Sequence, residues 1–213
     1  MALVFEVGLS TPLLMLNRSL GRRAMNILVR EFANEPAETI IYTDGSAFKN
    51  PSRGGYAFLI MQGEKQERIS GGYLRTTCVR MELMAAVLAL EQLPVPCKVR
   101  LFTDCKILQE TVDLDYFQVW DNRGWINARN LPVVHGDLWR RLRSCLERHD
   151  VKLVCIASRS QNIFVKYVHR EACRAALRAE LEVDPGWYRW MSSLGRETPE
   201  RQDDGKGTAR AGE

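Results

Sequence analysis

The chain has 213 residues, 46% of them hydrophobic and 26% charged, an ordinary globular composition with enough length to bury a core. No apolar run reaches the roughly 18 residues of a membrane span, which excludes an integral membrane protein built on such helices. Thirty basic against 26 acidic side chains leave a net charge of +4, which permits a polyanionic partner but excludes a histone-like polycation.

In chain order, the sequence divides into an N-terminal extension (1–36), a core domain (37–192) and a polar tail (193–213). Residues 1–24 are apolar and close on Arg18, Arg22 and Arg23, with Glu6 as their one acid. They read as a basic transit-like leader, as a short helix or, best, as sequence upstream of a natural start at Met25. Thr39-Ile-Ile-Tyr-Thr43 is β-branched and aromatic and stops at Asp44-Gly45, so a first strand is expected there. Asn50 to Gly55 carries turn chemistry, Tyr56–Met61 a second strand, and Gln66–Tyr73 a third with polar alternation. Short links between these three imply an antiparallel meander. The period then lengthens. Met81, Met84, Ala85, Leu88 and Ala89 fall at helical spacing within Val79–Leu93, and Pro94 and Pro96 end that helix. Val99–Thr103 is a fourth strand closed by Asp104, followed by a short helix at Lys106–Val112. An amphipathic helix over Asp137–Arg148, a fifth strand over Val151–Ala157 and a final helix over Val165–Leu181 complete the core. From residue 196 onward almost nothing is apolar, and a disordered tail is expected. The order implies an α/β fold: a five-stranded mixed sheet, three strands antiparallel and two reached by helical crossovers.

Three acids stand out by position. Asp44 and Asp104 each end a strand, and Glu82 lies in the first turn of the first long helix between Met81 and Leu83. Taken singly, an aspartate after a strand is a turn former or a helix cap, and Glu82 is a dipole residue. Ends of parallel neighbouring strands cluster at one sheet edge, however, where ligands bind. Three converging carboxylates repel one another unless a divalent cation neutralises them, and an all-oxygen set suits Mg²⁺ or Mn²⁺. The six cysteines form no CxxC pair and mostly lie in apolar runs. They read as reduced, packed thiols of a reducing, cytoplasmic setting.

Tyr42-Thr-Asp-Gly-Ser46, Asn50-Pro51 with Gly54-Gly55-Tyr56, Gly72-Tyr73 with Arg75-Thr-Thr77, Arg80-Met-Glu-Leu-Met-Ala-Ala86, Phe102-Thr-Asp104, Arg123-Gly-Trp125 and Asp137-Leu-Trp139 together resemble the bacterial type 1 ribonuclease H family, over about residues 40–181. The resemblance implies a ribonuclease H-like fold that hydrolyses the RNA strand of RNA–DNA hybrids with two Mg²⁺ (or Mn²⁺) ions, as a monomer with a nucleic-acid partner and no membrane. It places Asp44, Glu82 and Asp104 at the first three catalytic and metal-binding carboxylates. It implies substrate contacts at Asn50, Thr77, Lys106, Trp120 and Trp125, with packing against the helix as an equal reading for the two tryptophans.

The departures from the family pattern carry their own expectations. Aligned on the family's Asn-Glu-x-x pattern, Arg174 takes the place of the fourth aspartate, which would weaken the second ion site. Glu171, one turn earlier, is a candidate substitute. The loop Ala157–Phe164 lacks the family's histidine, and His169 reads as a surface residue near a helix start. Cys78 and Val79 replace asparagines that read the 2′-hydroxyl. The segment Tyr116–Gly136 sets Arg123 and Arg129 against Asp121 where relatives carry a lysine-rich protrusion, so hybrid binding should be weaker and less salt-dependent. Two classes follow: a metal-dependent endonuclease, impaired at its fourth position, or a catalytically degenerate binding module of the same fold.

Overall fold

The structure is a computed structural model, and it describes residues 38–157 and 160–196. The leader and start-site expectations, and the tail beyond residue 196, lie outside the described residues.

Three long strands form the meander: β1 (Thr39–Ala47), β2 (Ser52–Gln62) and β3 (Lys65–Thr76). The helix α1 (Cys78–Glu91) carries the chain across to β4 (Lys98–Thr103), which lies parallel to β1. Three further helices follow, α2 (Lys106–Asp113), α3 (Tyr116–Asn122) and α4 (Gly136–Arg148). Then β5 (Asp150–Cys155) joins β4 in parallel, and α5 (Ile163–Ala176) and α6 (Pro185–Ser193) complete the described residues. The sheet order is β3-β2-β1-β4-β5, the five-stranded mixed sheet expected from the sequence.

Strand alternation sorts the core into two clusters. Ile41, Phe58 and Ile60 face α1 and α4 through Met81, Leu83, Leu138 and Leu142. Tyr42, Ala57 and Leu59 face the opposite way, onto Val168 and Ala172 of α5. Both faces of β1 are therefore covered, which is why Thr39–Thr43 is an unbroken apolar and β-branched run rather than an alternating one.

Element boundaries moved where tertiary contacts outweigh local signals. The strand β1 does not stop at Asp44. It runs to Ala47 because Gly54, Gly55 and Tyr56 pair with Ala47, Ser46 and Gly45. The two glycines, read as turn, are thus strand residues. A Cβ on Gly55 would stand 2.2 Å from the Ala172 carbonyl oxygen, so this position is bare to let α5 lie against β2. The last core helix ends at Ala176 rather than Leu181, because the chain turns back to β3, where Leu74 N–H donates to Glu182 O at 2.7 Å. The helix α6 was not expected, although its start is marked. Asp184 caps it, accepting from Gly186 N–H and Trp187 N–H at 3.0 and 3.1 Å, and Pro185 opens the first turn.

Candidate active site

The parallel register of β1 and β4 begins the site. Tyr42 pairs with Phe102, so Asp44 and Asp104, each two residues further along, leave neighbouring strands at the same level. Glu82 arrives from α1. Its approach depends on Gly45, where a Cβ would lie 2.2 Å from the Glu82 backbone nitrogen. Any larger residue at 45 would push α1 off the strand. The result is that one carboxylate oxygen of each of Asp44, Glu82 and Asp104 lies within 4.8 Å of the others.

Within this cluster Glu82 has no facing cation. Asp44 and Glu82 are only 5% and 6% exposed, and Glu82 Oε2 is buried without a hydrogen-bond partner. Burial, and then the Asp44 and Asp104 carboxylates, push the Glu82 carboxyl well above its ordinary range, against a backbone hydrogen bond from Gly45. Burial and Asp104 also raise Asp44, while His169 opposes the rise. An unpartnered buried carboxylate oxygen costs folding free energy. A hard divalent cation supplies the missing charge and accepts oxygen donors, so the residues present fit such an ion. Cys78, at the start of α1, is no competing nucleophile. Burial, then the charges of Glu82 and Asp44, push its thiol up to about 11.

The helix α5 closes the other side. A cavity between β1, β4 and α5 is lined by Asp44, Phe102, Asp104, Val165, Lys166 and His169. His169 Nδ1 stands 2.7 Å from Asp44 Oδ2. This corrects the expectation for the fourth position. Arg174 does not face the carboxylates. It lies five residues, about 140° of helix rotation, beyond His169, where it is 65% exposed and donates to Glu171 Oε1 at 2.9 Å. Glu171 also meets Arg170 at 3.4 Å and lies outside the group of acids that could share an ion. The expected weakening of a second ion site by Arg174 therefore loses its ground. Aligning on acid-containing patterns alone hid this, because His169 matches no carboxylate.

A sequence profile of the family described as RNase H matches residues 36–167. Ribonuclease H of Syntrophus aciditrophicus is 36% identical over 150 residues, covering 70% of this chain and 87% of the relative. Ribonuclease H of Photorhabdus luminescens is 37% identical over 147 residues, covering 69% and 93%. The chain belongs to the RNase H family. Among solved structures, LC9-RNase H1, a type 1 RNase H with the type 2 active-site motif, superposes with a TM-score of 0.56 at 18% identity over 75% of this chain and 84% of that one. The RNase H family and fold together support a nuclease that hydrolyses nucleic acid in the ribonuclease H manner.

The remaining residues singled out from the sequence have local partners in this RNase H domain. Asn50 Oδ1 accepts from Cys78 N–H at 2.9 Å, tying the β1–β2 loop to the start of α1. Thr77 caps that helix, accepting from Arg80 N–H at 3.2 Å. Lys106 is the exposed first residue of α2. Trp120 and Trp125 are half-buried in a cluster of tilted aromatic rings, with centroids 5.5 Å apart, and Trp120 lies 5.5 Å from Trp139. Arg140 covers the Trp125 ring at 4.1 Å. The exposed Asp121 is held by Arg143, and Trp125 Nε1–H donates to it at 3.0 Å. Asp121 and Trp125 of this segment are thus engaged by two arginines of α4. The loop preceding α5 includes residues 158–159, which lie outside the described residues.

One constellation had no counterpart in the sequence reading. Arg80, 1% exposed, donates to Asp137 at 2.8 and 2.7 Å and to Asp184 at 2.5 and 2.9 Å. Asp184 is fully buried and also accepts from Thr76 Oγ1 at 3.2 Å. This knot joins α1, α4 and α6.

Proposed function

We propose that this chain cleaves the RNA strand of RNA–DNA hybrids, using Mg²⁺ or Mn²⁺ held by Asp44, Glu82 and Asp104. The observation that carries this reading is the buried, unpartnered Glu82 Oε2 inside a carboxylate group spanning 4.8 Å. When bound, the metal supplies Lewis acidity at the phosphodiester and an activated water. The three acids hold that charge in place, and Gly45 sets Glu82 beside Asp44. Because β1, α1 and β4 of a single chain build the site, it needs no residue from a second subunit, which suits a monomer. Its six free cysteines suit the reducing cytoplasm. The hybrid as substrate agrees with a foamy viral protease-reverse transcriptase, 20% of which shares this fold and whose structure was solved with an RNA/DNA hybrid. With Arg174 turned away from the acids, turnover is not limited by a misplaced cation.

The test is cleavage of an end-labelled hybrid by purified protein. Chelation should abolish it and either Mg²⁺ or Mn²⁺ restore it. Asp44→Asn should lower the rate about 10³-fold or more, the loss of several kcal/mol of charge stabilisation. Hybrid binding without cleavage under both metals would sink the proposal.

A further inference from the structure

We infer that His169 is a fourth metal-binding residue of this site, adding an imidazole nitrogen to the three carboxylates and shifting its preference from Mg²⁺ toward Mn²⁺. The inference rests on the metal-dependent reading above.

The geometry points this way through three independent observations. First, α5 is seated so that His169 faces the acids. Gly55 admits the Ala172 backbone, and Val168 and Ala172 are buried against β1 and β2, which turns position 169 toward the cavity containing Asp44 and Asp104. Second, the 2.7 Å between His169 Nδ1 and Asp44 Oδ2 is close to the roughly 3 Å separating two adjacent donors on an octahedral ion with bonds of about 2.1 Å. Third, the acids alone leave Glu82 Oε2 buried and without a partner. The imidazole meets Asp44, not Glu82, so it does not relieve that deficit as an ion-pair partner would. His169 reaches Asp44 and stands outside the three acids that lie within 4.8 Å of one another, so the ion it would meet is one held through Asp44.

The chemistry then sets the selectivity. Mg²⁺ is hard and favours oxygen, whereas imidazole nitrogen suits transition ions, and Mn²⁺ accepts both donor types. A histidine among three carboxylates should therefore favour Mn²⁺ relative to an all-carboxylate site. The other two histidines cannot supply the nitrogen. His135 is buried beside Trp187 and Thr77, and His149 is buried beside Cys97.

The test uses tag-free full-length protein and Mn²⁺ alone, read by electron paramagnetic resonance. The wild type should show imidazole ¹⁴N coupling to the bound ion, absent in His169→Ala and His169→Asp. The alanine variant should bind Mn²⁺ about tenfold more weakly, the loss of one donor. The aspartate variant should keep Mn²⁺ affinity within a few fold but lower the ratio of Mn²⁺ to Mg²⁺ affinity about tenfold. His169 is exposed, so both variants should fold, which circular dichroism checks. Bound Mn²⁺ without ¹⁴N coupling, or an alanine variant that binds as tightly as wild type or tighter, would overturn the inference. His169 would then be an ion-pair partner that the metal displaces. If in that case Asp44→Asn still loses Mn²⁺, the carboxylate site stands and only the histidine ligand falls. A wild type that binds no Mn²⁺ overturns both.

Discussion

Arg80 and Glu82 lie two residues apart on α1, and each sits in a buried cluster of charges. The two clusters are built to opposite rules. Around Arg80, both facing carboxylates are hydrogen-bonded and ion-paired, and Asp184 also caps α6. Around Glu82, every near charge has the same sign and one oxygen has no partner. The first cluster is complete within the protein and serves the fold. The second is incomplete within the protein, and its deficit is what the proposed metal ion would fill. Burial opposes the ionised form in both, yet Arg80 overcomes it and lowers Asp137 below the usual carboxylate range, whereas Glu82 is driven upward. The environment, not burial itself, separates a structural charge from a functional one.

The sharpest way to break the comparison is to make the first cluster resemble the second. Arg80→Met leaves Asp184 and Asp137 without their cation. Removing one partner of a buried pair costs about 3–5 kcal/mol, or a fall in melting temperature of roughly 10 °C for a domain of this size. Thermal melts at neutral pH check this. A loss below about 1 kcal/mol would mean that the knot does not hold α4 and α6 to α1.

The pH dependence of stability sharpens the same contrast. His135, beside this knot, is pushed down to about 4, first by burial and then by the Arg80 charge. The unfolded chain therefore takes up a proton near pH 6.5 that the folded chain refuses until about pH 4. Stability is lost as pH falls through that window, by about 3 kcal/mol in all. Asp137 acts lower. Its contribution is present above its unfolded value and lost as pH falls through its depressed folded value. Asp44 and Glu82 act in the opposite sense, since a raised folded value makes the native state hold protons more tightly as pH falls. The measurement is thus a difference, wild type minus His135→Gln, in urea midpoints between pH 7 and 4. A flat difference would show that His135 is protonated in the folded protein.

The sheet, the meander and the first three acids were legible because they rest on local signals: strand runs, a helical period and acids at element ends. The residues that closed the picture depend on distant neighbours. Arg80 finds Asp137 and Asp184 at separations of 57 and 104 residues, and nothing around Arg80 in sequence announces either. The glycines at 54 and 55 carry turn chemistry, but what decides Gly55 is the approach of α5 more than a hundred residues later, and what decides Gly54 is crowding by Ser46, Thr76 and Met81. His169 was read as a surface residue, and it is exposed. Its meaning lies in the 2.7 Å to Asp44, set by the rotation of α5 on β2. The missed helix α6 is the exception, since Asp184-Pro185 is a local start signal that the longer amphipathic pattern before it obscured.

The smallest expected effect is also the most direct probe of the second cluster. Glu82→Gln replaces a buried carboxylate with one unpartnered oxygen by a neutral amide of the same shape, removing repulsion from Asp44 and Asp104. In metal-free protein this should raise the melting temperature by roughly 2–4 °C, the shift expected from about 1 kcal/mol in a domain of this size. With saturating Mn²⁺ the order should reverse. The wild type gains the binding energy of the ion, whereas the variant has lost one of its ligands and gains less. A core substitution that merely disturbed packing would lower stability in both conditions, so the change of sign is the diagnostic. If the variant melts at or below the wild type without metal, Glu82 Oε2 is satisfied by the protein itself. The contrast with Arg80 would then vanish.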